Sequence, residues 1–232
     1  MAHPISAMFG RIAGVYDLLN HVLSFGVDRS WRRELARLAP AGTPLLDLAA
    51  GTLDVSLALR RAQPEALVIA LDFCLPMLER GQAKLASPEL AEAILPCCGD
   101  AFNLPLADDS VAGITIAFGI RNIRPRAPAL AEMLRVLKPS GRLCILEFGS
   151  ARERIWGGIY NIYLAGLLPL VGRLIARDKG AYSYLATSIR EFPTAPEFMA
   201  EMQAAGFQNC AWRKLTGGIT CLHWAEKPCA EA

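Results

Sequence analysis

The sequence is poor in the side chains that metal and redox sites need. It has three histidines and seven cysteines among 232 residues, and no two cysteines show the C-x-x-C spacing of zinc or thioredoxin-like sites. Several cysteines lie inside apolar runs, where a thiol behaves as a small hydrophobic group. We therefore expect reduced thiols in a cytoplasmic protein, and no metal site.

An excess of charge of one sign is also missing. The 24 basic and 22 acidic residues nearly balance, which argues against a nucleic-acid partner. Residues 1–9 lack the basic and then apolar pattern of a secretory signal peptide. The chain has no internal repeat or low-complexity linker, and its length suits one α/β domain with additions.

Apolar runs alternate with helix-compatible segments through the middle of the chain. This alternation predicts an α/β fold with a doubly wound, parallel, Rossmann-like sheet. Strands are predicted at 45–49, 67–73, 93–98, 113–119 and 142–148, and helices at 54–62, 76–86, 126–137 and 195–205. Residues 139–141 predict a turn before the fifth strand, and the β-like runs 207–215 and 218–227 predict a C-terminal hairpin at the sheet edge.

Residues 1–43 predict two amphipathic helices that precede the first strand. The apolar residues of the first helix are spaced for one face, and Ser30 is a candidate cap for a second helix that carries Trp31.

The loop after the first strand has only one glycine. A dinucleotide site needs G-x-G-x-x-G and a P-loop needs a lysine, and neither is present, so a dehydrogenase is disfavoured. The loop instead carries Gly51, with Asp47 before it and Asp54 after it, and Thr52 or Asp54 could cap the next helix. Carboxylates repel a pyrophosphate but suit the ammonium group of an amino-acid-like ligand.

A second acid, Asp72, ends the second strand about twenty residues later. An acid in that position is placed to accept hydrogen bonds from a ribose diol. A ligand with adenosine and an amino acid but no phosphate is S-adenosylmethionine. The alternative for either acid alone is a helix cap or a solvated carboxylate.

Residues 155–172 carry no charge over eighteen positions. That length only just reaches the threshold for a membrane span, and four glycines and Pro169 weaken the case. A buried core helix and a lid or interfacial element for an apolar substrate remain open, with Trp156, Tyr160 and Tyr163 as interface-type aromatics.

Longer strings carry a resemblance to a known family. The most specific are 115–122, which contains Phe118-Gly119-Ile120-Arg121-Asn122, and the matches between 178 and 193. Other matching strings lie at 9–13, 16–20, 23–26, 46–49, 51–52, 99–101, 137–139, 141–143, 146–148, 205–207 and 215–219. On these residues the chain resembles the ubiquinone/menaquinone biosynthesis C-methyltransferases over nearly its whole length.

The resemblance implies a seven-stranded class I fold that binds S-adenosylmethionine and that the C-terminal hairpin completes. It also implies that Thr52 lies under the methionine moiety and that Asp72 takes the ribose. Asp100 and Ala101 would flank the adenine, and Ala117 would contact the donor from the fourth strand. Within a single domain we expect a helical cap (1–43), a cofactor-binding core (44–150), an acceptor or lid segment (151–195) and a C-terminal helix and hairpin (196–232).

Leu53 departs from the family pattern, which usually has glycine there. We expect a leucine to resist positive φ and to fill space that the donor needs. Weak donor binding, or a non-catalytic homologue that acts in a quinone-synthesis assembly, therefore stays open.

The acceptor implied by the resemblance is a reduced, polyprenylated quinone ring. Its ring carbon becomes nucleophilic when a neighbouring hydroxyl, with a pKa of about 10 when free, is deprotonated. Arg121 would stabilise the phenolate or orient a water as base, and Asn122 would bond a ring oxygen; the alternative for Arg121 is an ion pair with an acid such as Asp100. Tyr16, His21 and Tyr182 could also face the acceptor.

Demethylmenaquinol is the preferred acceptor, and a 2-methoxy-6-polyprenyl-1,4-benzoquinol is the alternative. We also expect transient contact with the inner membrane surface, and a homodimer stays open.

Overall fold

The computed structural model describes residues 4–14, 16–24, 26–149 and 179–229. The strands in this part of the chain are β1 Leu45–Leu48, β2 Val68–Asp72, β3 Ile94–Cys98, β4 Val111–Ala117, β5 Leu137–Phe148, β6 Gln208–Leu215 and β7 Thr220–Glu226. They form one sheet of seven strands in the order β3-β2-β1-β4-β5-β7-β6. Strands β1 to β5 pair in parallel, and β7 lies antiparallel between β5 and β6. The doubly wound sheet with a C-terminal edge hairpin is thus confirmed.

Helices cover both faces of this sheet. They are α1 Pro4–Ile12, α2 Tyr16–Leu23, α3 Asp28–Leu38, α4 Asp54–Ala62, α5 Leu75–Gln82, α6 Pro88–Ala93, α7 Arg126–Val136, α8 Lys179–Glu191 and α9 Ala195–Ala204. The short helix α6 was not predicted, although Ser87 caps it by accepting from the Leu90 amide and Pro88 occupies its first turn. Two 3₁₀ turns follow β4 and β6, at Ile120–Asn122 and Thr216–Gly218.

Side chains from successive residues of β1 enter opposite faces of the sheet, as the period of a strand requires. Leu46 packs in the apolar layer that includes Leu130 and Met133 of α7. Leu45 packs in the other layer, with Leu35 of α3 and Leu59 of α4. All four residues of β1 are therefore buried, which explains why three of them are leucine.

Three local predictions are wrong. Helix α3 begins at Asp28, so the exposed Ser30 lies inside the helix and does not cap it. Helix α4 begins after Leu53 without a side-chain cap, because the hydroxyl of Thr52 bonds Asp17 instead.

The third error concerns the start of β5. The predicted turn at 139–141 is a bulge inside β5, where Ser140 takes a φ of 62° and the pairing with β4 shifts register. The strand follows α7 directly because Leu137 already pairs with Val111.

Among the described residues, no helix is long and apolar enough to cross a membrane. The neutral stretch 155–172 lies outside the described residues. In the N-terminal helices Leu18 is 54% exposed, so the predicted apolar face of α2 does not bury this residue.

Candidate active site

A cleft opens at the carboxyl ends of β1, β2 and β4. This edge of an open α/β sheet is where ligands bind. The cleft is lined by Phe9, Tyr16, Leu48, Ala49, Gly51, Leu71, Asp72, Phe73, Cys74, Met77, Gly99, Asp100, Ala101, Phe102, Ala117, Phe118, Gly119, Asn122 and Ile123.

The β1–α4 loop is held against the tip of β2 by backbone groups. The amide of Ala50 donates to the carbonyl of Leu71 at 3.1 Å, and the amide of Gly51 donates to Asp72 Oδ2 at 2.8 Å. Gly51 has a φ of 53°, a conformation that glycine adopts without strain. The loop therefore presents backbone and small side chains to the cleft.

Leu53 does take a positive φ, of 67°, so the expectation that it resists this conformation is wrong. Its side chain is fully buried and is not among the residues that line the cleft. It packs against Gly81 of α5, where an added Cβ would lie 2.5 Å from Leu53 Cγ. Because Gly81 has no side chain, α5 leaves room for the leucine, and the donor space stays clear of it.

The carboxylate of Asp72 lies at the tip of β2, between two backbone amides. Its Oδ2 accepts from the Gly51 amide and its Oδ1 accepts from the Cys74 amide, both at 2.8 Å. Burial raises the pKa of this carboxyl group, and the amides of Cys74 and Gly51 oppose that shift. Each oxygen keeps a second lone pair, so the group can also accept from a ligand diol.

Three further predicted donor-site residues lie together in the cleft. Asp100 and Ala101, predicted to flank the adenine, and Ala117, predicted to contact the donor from β4, all line it. Asp100 is exposed, and its Oδ1 accepts from the amide of Phe102 at 3.0 Å. Their contacts with a ligand stay a prediction.

Asp47 and Thr52 lie behind the loop and are not among the lining residues. Asp47 is buried, and it accepts from the hydroxyl of Ser56 at 2.6 Å and from that of Thr115 at 3.4 Å. Burial raises the pKa of Asp47 to about 7, against the effect of these hydroxyls. The predicted direct contact of either residue with the donor stays a prediction.

Arg121 and Asn122 form part of the 3₁₀ turn after β4, but only Asn122 lines the cleft. Arg121 is buried, with its guanidinium bonded to Glu147 Oε1 at 2.9 Å and to the carbonyl of Phe118. The ion pair considered as the alternative for Arg121 therefore exists, with Glu147 as the acid in place of Asp100.

The other candidate acceptor residues divide between two clefts. Tyr16 lines the first cleft and contacts Phe9 edge to face at 6.0 Å. His21 lies in a second cleft and bonds Asp28 Oδ1 at 3.2 Å, so the structure does not bring it to the first cleft. The side chain of Tyr182 lies outside the described residues.

Sequence reasoning missed Phe9, Met77 and Tyr184. Phe9 and Met77 line the cleft, and the hydroxyl of Tyr184 in α8 donates to Asn122 Oδ1 at 3.0 Å. Phe9 and Tyr184 belong to strings that match the family, and this match is the sequence signal that could have identified these two residues. Met77 lies outside those strings.

Comparisons with known proteins agree with this geometry. A family model described as the ubiE/COQ5 methyltransferase family matches residues 2–227. The Ubiquinone/menaquinone biosynthesis C-methyltransferase UbiE of Geobacter sulfurreducens is 42% identical, covering 96% of this chain and 88% of the relative. The Demethylmenaquinone methyltransferase of Streptomyces avermitilis is 43% identical, covering 95% of this chain and 93% of the relative.

Solved structures support the fold. A Thermotoga maritima SAM-dependent methyltransferase, described as a possible histamine N-methyltransferase, superposes with a TM-score of 0.69 at 20% identity. The match covers 95% of this chain and 98% of that one. At 20% identity this similarity supports the shared fold but does not indicate which acceptor is methylated.

Proposed function

Because the chain belongs to the ubiE/COQ5 methyltransferase family, we propose that it methylates a ring carbon of a reduced polyprenylated quinone in quinone biosynthesis. It is an S-adenosylmethionine-dependent methyltransferase. The preferred acceptor is demethylmenaquinol, which the names of several relatives support. The observation that carries the proposal is a family match over nearly the whole chain, joined to a cleft at the carboxyl ends of β1, β2 and β4.

The residues of the cleft fit S-adenosylmethionine. Small side chains, at Ala49, Ala101 and Ala117, leave its walls open to a flat ring and a ribose. Asp72 would accept from the ribose hydroxyls, and Asp100 would accept from the exocyclic amine of adenine. When bound, this donor supplies a methyl group on a sulfonium centre.

On the acceptor side the protein has to favour the phenolate form of the ring. We propose that Asn122 hydrogen-bonds a ring oxygen from the cleft wall, with Tyr16 as a further lining group. Arg121 stays a proposed catalytic residue, although its guanidinium is held by Glu147. Orientation of the acceptor within reach of the methyl group supplies much of the rate in such a transfer.

A benzoquinol is the second candidate acceptor. The Geobacter sulfurreducens relative carries both ubiquinone and menaquinone in its name, so a 2-methoxy-6-polyprenyl-1,4-benzoquinol must be tested beside the naphthoquinol.

The non-catalytic alternative was based in part on Leu53. This side chain is buried against Gly81 and leaves the cleft lining free, so it gives that alternative no support.

Contact with an anionic membrane surface, in a cytoplasmic protein, is part of the proposal, because a polyprenyl tail dissolves in lipid. In support, Arg29, Arg33 and Arg61 line the second cleft, and none of them has a carboxylate partner among the described residues. Basic residues near an anionic bilayer contribute about 1 kcal/mol each.

Vesicle flotation tests this contact. The protein should float with phosphatidylglycerol vesicles, fail to float with phosphatidylcholine, and lose binding in the double variant Arg29→Gln/Arg33→Gln. The double variant Arg80→Gln/Arg190→Gln is the control of equal charge, since both of its arginines are exposed and lie outside the second cleft. Equal loss in both variants would assign binding to net charge alone. Sedimentation velocity on the same samples tests whether the protein forms a homodimer, which the sequence leaves open.

Calorimetry and a transfer assay test the proposed function. The purified protein should bind S-adenosylmethionine, and labelled methyl should move to a reduced naphthoquinone, with the reduced benzoquinone run in parallel. Donor binding without transfer to either ring would contradict the proposed acceptor. No donor binding would favour the non-catalytic alternative.

A further inference from the structure

We infer that Tyr184 is a positioning residue, whose hydroxyl fixes the amide of Asn122 so that the amide nitrogen faces the acceptor oxygen. The inference rests on the proposed function, since it names the group on the protein that meets the ring oxygen. It adds Tyr184 of α8 to the acceptor site. This residue lies in the predicted lid segment, after the neutral stretch 155–172.

The contact joins two elements that are far apart in the chain. Tyr184 lies in α8, Asn122 lies in the 3₁₀ turn after β4, and 62 positions separate them. The phenol oxygen of Tyr184 donates to Asn122 Oδ1 at 3.0 Å, an ordinary hydrogen-bond distance.

The phenol is the donor in this bond and the amide oxygen of Asn122 is the acceptor. Burial raises the pKa of Tyr184, although the nearby cations Arg121 and Arg124 oppose the shift, so the hydroxyl keeps its proton at neutral pH. In this bond the amide of Asn122 turns its oxygen toward Tyr184.

Because Oδ1 of Asn122 accepts from Tyr184, the side-chain polar group that stays available for a ligand is the amide nitrogen. No described residue hydrogen-bonds that nitrogen, and Asn122 lines the cleft. The amide therefore offers N–H donors to a ligand. A hydrogen bond to an ionised oxygen is about twice as strong as one to a neutral oxygen, so a fixed donor favours the phenolate.

The charged groups around the turn are already paired, and Asn122 is the residue of this turn that lines the cleft with an unused donor. Arg121 is paired with Glu147 and Arg124 with Glu191, both at 2.9 Å. Each cation is thus matched by an acid before a substrate arrives.

The test is the variant Tyr184→Phe, measured by the pH dependence of kcat with a reduced naphthoquinone. The variant keeps the ring and loses the hydroxyl, so the amide is no longer held. We expect kcat to fall roughly tenfold at pH 7, the effect of one hydrogen bond. The KM for S-adenosylmethionine should not change.

The pH profile separates orientation from simple damage to packing. A weaker donor raises the pKa of the bound phenol, so the rise of kcat with pH should move to higher pH and the variant should approach wild type in alkali. The ionisable groups close to the turn or in the same cleft are Tyr184, the two ion pairs above, Tyr16, Asp72, Cys74 and Asp100, and the variant changes only the first of them. A purely structural defect would lower kcat equally at every pH.

Two further variants complete the test. In the background Asn122→Ala, Tyr184→Phe should have no additional effect, because the amide that it orients is gone. Ser188→Ala is the matched control, since Ser188 lies one turn along α8 and, among the described residues, its hydroxyl donates to the carbonyl of Leu185. An unshifted profile in Tyr184→Phe, or additive losses in the double variant, would overturn the inference.

A readout without methyl transfer keeps this test separate from that of the proposed function. The absorbance of 4-nitrophenol bound in the cleft reports its ionisation directly. Its pKa should be lower on wild type than on Tyr184→Phe, and equal values would overturn the inference even if the quinol acceptor were wrong.

Discussion

The donor side of the cleft and its acceptor side differ in the atoms that hold them in place. On the donor side, which comprises the β1–α4 loop, Asp72 and residues 99–101, backbone amides make the contacts with Asp72 and between the strand tips. On the acceptor side, which comprises Tyr16, Asn122 and Tyr184, the contact between Tyr184 and Asn122 joins two side chains from distant elements.

This difference has a physical consequence. Backbone hydrogen bonds survive most side-chain exchanges, and the leucine at position 53, where glycine is usual in the family, is accommodated because Gly81 has no side chain. A contact between two side chains is lost when either residue changes. The acceptor side therefore adapts more easily to a different ring, while the donor side is built to keep one cofactor.

The largest effect is expected at Asp47, under the donor side. Its pKa of about 7 in the fold lies well above the value of about 3.9 in an unfolded chain. A raised pKa means that the carboxyl stabilises the fold fully below pH 4 and that this stability is lost as pH rises through 7. The loss is on the order of 4 kcal/mol, at about 1.4 kcal/mol for each pKa unit.

The variant Asp47→Asn isolates this group. The amide can keep a bond with each of the hydroxyls of Ser56 and Thr115, and it does not ionise. Urea unfolding of both proteins from pH 4.5 to 8 measures their free energies of unfolding. The value for the variant should increase relative to that of wild type as pH rises. A constant difference across that range would mean that Asp47 does not titrate there.

Asp72→Asn should have the next largest effect, on donor binding. An amide in that position can accept from only one of the two backbone amides, and its own N–H group opposes the other. It also lacks the charge that strengthens a bond to the ribose, so we expect donor affinity to fall roughly 10- to 100-fold. Calorimetry measures this, and an affinity within threefold of wild type would remove Asp72 from the donor site.

Gly81→Ala tests how the donor side accommodates Leu53. Alanine normally stabilises a helix relative to glycine, but here the new Cβ would lie 2.5 Å from Leu53 Cγ and 2.9 Å from the backbone of Thr52. We expect a loss of about 1–3 kcal/mol in the free energy of unfolding. The control is Gly10→Ala in α1, where the nearest atom would be 3.5 Å away and no loss is expected. Equal stability of the two variants would contradict the packing.

The sequence predicted the sheet well because strand tips and apolar runs are local signals. Asp72 was found in the same way, from its place after a strand, and it lines the cleft. Resemblance to the family supplied Asp100, Ala101 and Ala117, which also line the cleft, and the turn that carries Asn122.

The sequence could not predict contacts that depend on tertiary packing. The fit of Leu53 depends on an absent Cβ on α5, and the pairing of Arg121 with Glu147 joins the turn after β4 to β5. Nothing within a few residues of either position signals its partner. The assignment of Thr52 as a cap failed for the same reason, since Asp17 is 35 residues away.

Asp17→Asn should have the smallest effect and tests the tether between α2 and the donor loop. Asp17 accepts from the hydroxyl of Thr52 and pairs with Lys84 at 2.7 Å, but its side chain is 36% exposed. An amide keeps the bond from Thr52 and loses the ion pair with Lys84. Because solvent and salt screen that ion pair, we expect the free energy of unfolding to fall by less than about 1 kcal/mol. Urea unfolding in 50 mM and 500 mM salt measures this, and the difference from wild type should shrink in the higher salt. A loss of several kcal/mol that salt leaves unchanged would mean that the tether is as firmly built as the backbone contacts of the donor side.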